Sequence, residues 1–385
     1  MKTAILILTI VCAVSATTYF SETFDGAFED RWVQSAAKDD YGKFKLATGA
    51  AFGDAKINTG LQTSEDARFY AISSKIATPF TNKDKKLVVS FTVKHDQGID
   101  CGGGYVKVLS ELEGKKFNGD SEYFLMFGPD ICGYTKKIHM IFGYKGKNLL
   151  WKKEPKAEDD KLTHVYTAII NADNTYEVRV DGERREGGKL EEDWEFLKPK
   201  EIDDASDKKP STWVDEAEMD DPTDTKPADY DSEPETIPDP SAKQPEDWDV
   251  AEDGKWEAPQ APNPKYKGQF KAKRIPNPAY TGQWKPKQVA NPEYSADTEM
   301  YLARKPLAAV GFDLWQVKAG TIFDNIIIAD STEEVDAFVA KTYGATKDAE
   351  KDASTANEKK EKDSAPKDEA KDDAAKEDKD DKEDL

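Results

Sequence analysis

Residues 199–298 carry two different short repeats in tandem, and few folds can accept such a segment. The first block is acidic: EIDDASDKKPSTWVDE begins at Glu201, EMDDPTDTKPADYDSE at Glu218 and TIPDPSAKQPEDWDVAE at Thr236. The second is aromatic and much poorer in acid: NPKYKGQF begins at Asn263, NPAYTGQW at Asn277 and NPEYSADT at Asn291. Trp213, Tyr230 and Trp248 recur about every 17 residues, and the three asparagines recur every 14. Fixed periods describe a quasi-linear array in which each unit covers its aromatic only against a neighbour. Three units of one kind followed by three of another predict a chain that runs out and comes back. The expectation is a long hairpin arm over 199–298, inserted in something else.

Charge separates the arm and the C-terminus from the rest. Residues 199–257 hold 21 acids against 6 bases and residues 345–385 hold 16 against 10, which accounts for the whole net charge of −21. The remaining surface is balanced, with no basic stripe to neutralise phosphates, so nucleic acid is not an expected partner. Dense carboxylates with access to water suit hard cations such as Ca²⁺. On the returning half of the arm, Lys265, Lys267, Lys271, Lys273, Arg274, Lys285 and Lys287 are expected to face the acidic half.

Lys2 followed by AILILTIVCAVSA reads as a secretory leader over 1–16, and no later run is long and apolar enough to span a bilayer. Cys12 belongs to the leader, which leaves Cys101 and Cys132 as a pair. In an oxidising compartment two cysteines are most simply a disulfide, and closing a loop of this size stabilises by roughly 3–4 kcal/mol on the chain-entropy model. There is no N-x-[ST] acceptor for glycosylation of the chain itself.

From Thr17 to Lys198 the pattern is β. YAISSKIATPF, KLVVSFTVKH, YVKVLSEL, SEYFLMFGPD, KIHMIFGY, THVYTAII and YEVRVDGE alternate or run apolar over strand lengths, separated by turn residues. The pattern returns after the arm in AAVGFDLWQVKAGTIFDNIIIAD, where Asp313 and Trp315 share a face by parity and Trp315 is expected in the core. A few strands cannot bury two faces alone, so 299–344 completes the sandwich begun by 17–198. Ser331-Thr332-Glu333-Glu334 is a capping box, with Val335, Phe338, Val339 and Thr342 at helical spacing behind it. Beyond Gly344, over 345–385, almost nothing is apolar, and a disordered or transiently helical tail is expected.

CGGGYVK at 101–107, GDSEYFLMFGPDICG at 119–133, LWQVKAGTIFDN at 314–325 and the two repeat types occur together in one order, and in this the chain resembles the calreticulin/calnexin family from Tyr19 to Asp330. The resemblance implies an all-β fold: a legume-lectin-like (concanavalin-type) jelly-roll sandwich with an inserted, extended, proline-rich β-hairpin arm, a C-terminal helix and a disordered acidic tail. It also implies a non-enzymatic lectin chaperone and calcium store of the endoplasmic reticulum, binding monoglucosylated glycoproteins as a monomer.

By the same resemblance, Tyr105, Lys107, Tyr123, Met126, Asp130 and Asp313 line the sugar site. Aromatic and Met side chains pack on the ring, Lys107 donates, and Asp130 and Asp313 accept from hydroxyls. Tyr105 and Lys107, two apart on an expected strand, share a face. Tyr123 and Met126, three apart, do not, so a bulge is expected there. The disulfide is expected to pin the strand bearing Tyr105 to a loop bearing Asp130. For calcium, the resemblance places the Asp324 side chain with the carbonyls of Thr23, Ile57 and Thr59, and adds weak sites in the tail, where Lys alternates with the acids. At the arm's turn, AEDGKWEAP presents Asp253 and an exposed Trp256 to an oxidoreductase of the protein disulfide isomerase class, with Lys255 standing where an acid is usual.

Other chemistries find little support. Gly102-Gly103-Gly104 lacks the Lys and following helix of a phosphate loop. His95, His139 and His164 are scattered on strands without metal-ligand spacing and read as structural. Asp130 and Asp313 are not the closely spaced carboxylate pair of a sandwich glycoside hydrolase. The chain ends Lys382-Glu383-Asp384-Leu385, a transposed form of the retention signal, which predicts residence in the reticulum with some secretion. A secreted interaction protein binding extracellular partners such as complement components is the alternative reading.

Overall fold

The computed structural model describes residues 16–364, so most of the leader and the last part of the tail, including Lys382–Leu385, lie outside the described residues. The described chain divides into two units, one of them the arm, Pro199–Tyr294.

The other unit contains two eight-stranded antiparallel sheets. Across the first lie Glu183–Lys189, Thr175–Val180, Thr163–Ile170, Leu87–His95, Thr321–Ala329, Gly60–Thr63 and Phe44–Ala47, with Thr18–Glu22 added on Thr321–Ala329. Across the second lie Lys147–Leu149, Thr135–Tyr144, Leu125–Cys132, Cys101–Gly103, Leu307–Gln316, Arg68–Phe80 and Trp32–Gln34, with Val106–Leu109 between Leu125–Cys132 and Leu307–Gln316. The core forms where their inner faces meet. Phe91 and Phe323 from the first sheet touch Phe127 and Phe312 from the second, with ring centroids 4.3–6.5 Å apart. Each such ring stabilises by about 1.5–3 kcal/mol on burial.

The segment after the arm supplies a central strand to each sheet, which is why it reads as so apolar. Every residue of Thr321–Ala329 is buried. The sandwich is therefore discontinuous in sequence and closed only when 307–329 returns to it.

Three expectations about local structure change. Trp315 is not core: alternation sends Phe312, Leu314 and Gln316 inward and leaves Trp315 36% exposed on the outer face. Tyr105 lies in a two-residue break between Cys101–Gly103 and Val106–Leu109, because Gly103 leaves room that a side chain would fill; a Cβ there would sit 2.5 Å from the Tyr105 ring. Asp130 lies on the strand Leu125–Cys132 and pairs with Gly103, so the disulfide joins two neighbouring strands where a strand and a loop were expected.

Ser331 accepts from the Glu334 N–H at 3.2 Å and starts the helix Thr332–Lys341, whose Val335 packs with Phe338 and Val339 on Val88, Ile169 and Ile327. The chain does not lose order at Gly344: a second helix runs Tyr343–Ser364. Its buried residues are Thr346 and Glu350, so it docks by polar contacts that an apolar count overlooks.

In the arm, Glu201–Asp203 pairs with Gln288–Ala290, Glu218–Asp220 with Arg274–Pro276, and Thr236–Pro238 with Gln260–Pro262. Each repeated asparagine bridges the hairpin. Asn263, Asn277 and Asn291 accept from the N–H two residues on at 2.9–3.0 Å, and donate to the carbonyls of Pro234, Glu216 and Pro199 at 2.8–3.1 Å. Trp213, Tyr230 and Trp248 each donate to a carbonyl, of Gly282, Lys267 and Gly254. Among the basic residues expected opposite the acids, Arg274 pairs with Asp220 at 2.9 Å, while Lys273 and Lys287 engage Asp224 and Asp207 through their main-chain N–H groups.

Candidate functional site

Register decides which side chains share the outer face of the second sheet. Lys107 is opposite Met126 and Gly311, Met126 opposite Ile141, and Asp130 opposite Lys137. Partners in an antiparallel ladder share a face, and so do residues two apart. Lys107, Met126, Asp130, His139, Ile141 and Asp313 therefore all point the same way.

Tyr123 reaches that face without a bulge, because it precedes the strand that begins at Leu125 and so escapes its parity. The crossing of this segment over the neighbouring strand depends on Gly143. A Cβ at Gly143 would lie 1.8 Å from the Tyr123 carbonyl oxygen. Tyr123 then packs with Tyr41, Leu109, Phe117 and Ile141, and Met126 covers the same cluster.

The polar centre is an ion pair. Lys107 is only 1% exposed and donates to Asp313 Oδ2 at 2.8 Å and to the Gly119 carbonyl at 3.4 Å. Its ammonium also stands 5.1 Å over the Tyr123 ring. A buried ammonium without a partner is strongly unfavourable, so Asp313 stabilises Lys107 while keeping its second oxygen to accept from another donor. Burial, with the charge of Asp313, pushes the Tyr123 hydroxyl up to about 12, and burial together with Asp130 and Asp313 raises that of Tyr105 further. Both phenols stay protonated and can donate.

Tyr105 stacks on His139 with centroids 6.1 Å apart. His139 Nε2 lies 3.4 Å from Asp130, its Nδ1 is buried without a partner, and burial lowers its pKa, so it is neutral here. The other two histidines are structural. His164 bridges Asp181 and Asp160 at 2.7 and 2.9 Å, and His95 Nδ1 lies 3.2 Å from Thr321 Oγ1.

Sequence reasoning missed several members of this face, Tyr41 and Ile141 among them. Trp315 and Phe69 lie side by side at 4.7 Å, and Lys38 stands 4.1 Å over the Phe69 ring and 5.7 Å over that of Tyr41. His139 is another. The parity of Trp315 with Asp313 was a usable signal. Tyr41 and Lys38 lie on a loop that only tertiary folding brings across.

A second centre lies on the first sheet. The register of Thr321–Ala329 with Leu87–His95 shifts between Asp324 and Ile327, and Asn325 takes a positive φ of 50° at that bulge. Asp324 is 5% exposed and accepts from the Asn325 N–H at 2.7 Å and Nδ2 at 3.1 Å. Burial, with Asp25 and Glu22 nearby, raises its carboxyl well above the usual range. Asn325 Oδ1 is buried without a partner. Beside them lies a cavity of about 10 Å³, room for one water-sized occupant, lined by Asn58, Thr92, Lys94, Thr163, Ile322, Asp324 and Asn325.

Gly60, which directly follows Ile57–Thr59 in the chain, packs its main chain against Asp324, with a notional Cβ 2.9 Å from the Asp324 Cβ. Glu22, which directly precedes Thr23, pairs with Ile326. A calcium ion fits this oxygen-rich setting: it would offset the buried carboxylate and give the orphaned amide oxygen a use. Among the described residues no group of three or more His, Cys, Asp and Glu side chains is arranged to hold a metal.

At the arm's turn, Asp249 accepts from the Ala251 N–H at 2.8 Å and starts the short turn Val250–Asp253. Trp256 is half-buried, not the freely exposed side chain expected, and in the same turn Trp248 donates to the Gly254 carbonyl at 2.9 Å.

Residues 20–253 and 250–328 match the sequence model of the calreticulin family. Calreticulin of Euglena gracilis is 62% identical over 341 residues, 89% of this chain and 85% of the relative. Calreticulin of Caenorhabditis elegans is 53% identical over 361 residues, 93% of this chain and 89% of the relative. Among solved structures, the globular domain of T. cruzi calreticulin is similar at a TM-score of 0.65 with 36% identity, covering 89% of this chain and 100% of that one.

Proposed function

This chain belongs to the calreticulin family, and on that premise we propose that it holds monoglucosylated N-glycans of folding glycoproteins on the face built around Lys107 and Asp313. The family is one of non-enzymatic lectin chaperones. The observation that carries the reading is the buried Lys107–Asp313 pair, 2.8 Å long, set among Tyr105, Tyr123, Met126 and Asp130. A sugar needs an apolar surface for its ring and fixed polar groups for its hydroxyls, and this face offers both.

In this reading the spare oxygens of Asp313 and Asp130 accept from hydroxyls, the phenols of Tyr105 and Tyr123 donate, and Met126 packs on the ring. Calcium at the Asp324 centre, with the carbonyls of Thr23, Ile57 and Thr59, has a structural role: it neutralises the buried carboxylate and holds three segments together. The arm's turn at Asp253 and Trp256 recruits an oxidoreductase of the protein disulfide isomerase class. The place of work is the lumen of the endoplasmic reticulum. No helix among the described residues is long and apolar enough to cross a membrane.

Binding of Glc₁Man₉-type glycans to the full chain is the test, with Asp313→Ala and Tyr105→Ala alongside. Binding that drops at least tenfold in both variants is the expected result. Unchanged binding in both, with the fold intact by near-UV circular dichroism, overturns the assignment of this face.

A further inference from the structure

The second helix, Tyr343–Ser364, lies against the segment that passes the Asp324 centre. Asn58 Nδ2 donates to Thr346 Oγ1 at 3.0 Å, while Asn58 Oδ1 accepts from the N–H groups of Gly53 and Asp54 at 3.0 and 2.9 Å. Main chain meets main chain at Gly53, where a Cβ would lie 2.5 Å from the Thr346 carbonyl oxygen. Further along, Asn357 Nδ2 donates to the Ala50 carbonyl at 2.9 Å. The helix thus holds the 50–58 loop at both ends, and Asn58 sits between the two residues, Ile57 and Thr59, whose carbonyls face the cation in the reading above.

The helix also reaches the other wall of the cavity. Glu350 is 2% exposed, pairs with Lys94 at 2.9 Å, and accepts from Thr163 Oγ1 at 2.9 Å and from the Thr163 N–H at 3.2 Å. Lys94 and Thr163 line the cavity beside Asp324, as does Asn58. Three residues of the cavity wall are therefore held from behind by Thr346 and Glu350. A buried Lys–Glu pair is costly to break, because either partner alone is an uncompensated charge. The helix has no comparable apolar anchor: its buried residues are Thr346 and Glu350.

We propose that the helix Tyr343–Ser364 is a clamp on the cation centre, so that calcium occupancy and helix docking strengthen each other. The clamp rests on the reading that the Asp324 centre holds calcium. Docking fixes Asn58, and with it the flanking carbonyls; occupancy fixes the same loop and so presents the partners of Thr346, Glu350 and Asn357. Two events that order one loop are coupled, and the coupling is reciprocal. The device links the start of the charged C-terminal region to the body of the sandwich.

The experiment uses the full chain and calcium itself. The tight site is titrated by competition with a chromophoric chelator, and amide hydrogen exchange over 343–357 is followed with and without calcium, in wild type, Asp324→Ala, Thr346→Val, Asn357→Ala and Glu350→Gln. Loss of the tight site in Asp324→Ala, about tenfold weaker tight binding in Thr346→Val and Glu350→Gln, and calcium-dependent protection of the helix in wild type but not in Asp324→Ala support the clamp. If Asp324→Ala abolishes tight binding while the three helix variants stay within twofold of wild type and helix protection ignores calcium, the clamp alone falls. If Asp324→Ala keeps the tight site, the cation reading fails and the clamp fails with it. Should Glu350→Gln fold poorly because Lys94 loses its nearest carboxylate and keeps only Asp96 at 3.7 Å, Thr346→Val and Asn357→Ala decide the matter.

Discussion

In the sandwich, Phe91 lies far along the chain from Phe312 and Phe323 and all three are fully buried, whereas in the arm Trp213, Tyr230 and Trp248 stay half-buried, each held by one hydrogen bond to a nearby carbonyl. The difference is one of cooperativity. A sandwich strand gains nothing until its remote partners arrive, so removing one aromatic is felt across the whole unit. An arm unit closes on its own short ladder and its own asparagine, so a lesion there stays local.

The comparison is tested hardest in the core. Phe312→Ala removes a ring that touches both sheets and should lower the stability of the sandwich by about 3–5 kcal/mol, read as a shift of its denaturant midpoint. A change confined to a few local amides, as in the arm, would break the comparison.

The next effect is electrostatic and belongs to the sandwich alone. Burial opposes the charge on His164, but Asp160 and Asp181 outweigh it and raise the pKa to about 10. Because the folded value lies above the unfolded value of about 6.5, this contribution is complete below pH 6.5 and is lost as pH rises towards 10. His95 behaves oppositely: burial, helped by the charge on His164, lowers it to about 4. Its contribution is present above pH 6.5 and is lost as pH falls towards 4. Thermal melts from pH 7 to 10 should therefore show a decline that His164→Gln flattens. An unchanged slope in that variant would show that the decline has another source.

The smallest effect is expected in the arm. Asn277→Ala removes the bridge to Glu216 and should cost about 1 kcal/mol locally, seen as faster amide exchange around 216–218 and 275–281. The melt of the sandwich should not move; a shift there would show that the two units unfold together.

The arm was readable because its structure repeats with its sequence. The 14-residue spacing of Asn263, Asn277 and Asn291 is the spacing of three equivalent bridges. The strands with strong apolar alternation, the Ser331 cap and the Cys101–Cys132 bond were readable too, since each follows from local pattern or from counting. Glu183–Lys189 was not, because ERREGGK carries no apolar residue and becomes a strand only by pairing with Thr175–Val180.

What the sequence determined by itself is the sandwich class and the inserted repeat arm, from period and composition; the residues of the candidate face came only from the family resemblance. What only the tertiary structure decided is which side chains meet: Tyr105 stacked on His139, Tyr41 and Lys38 brought across from a loop, and Glu350 carried back onto Lys94. The physical reason is common to all three. A polar or surface contact is worth as much as its partner makes it, and a partner remote in sequence leaves no trace in local period or composition.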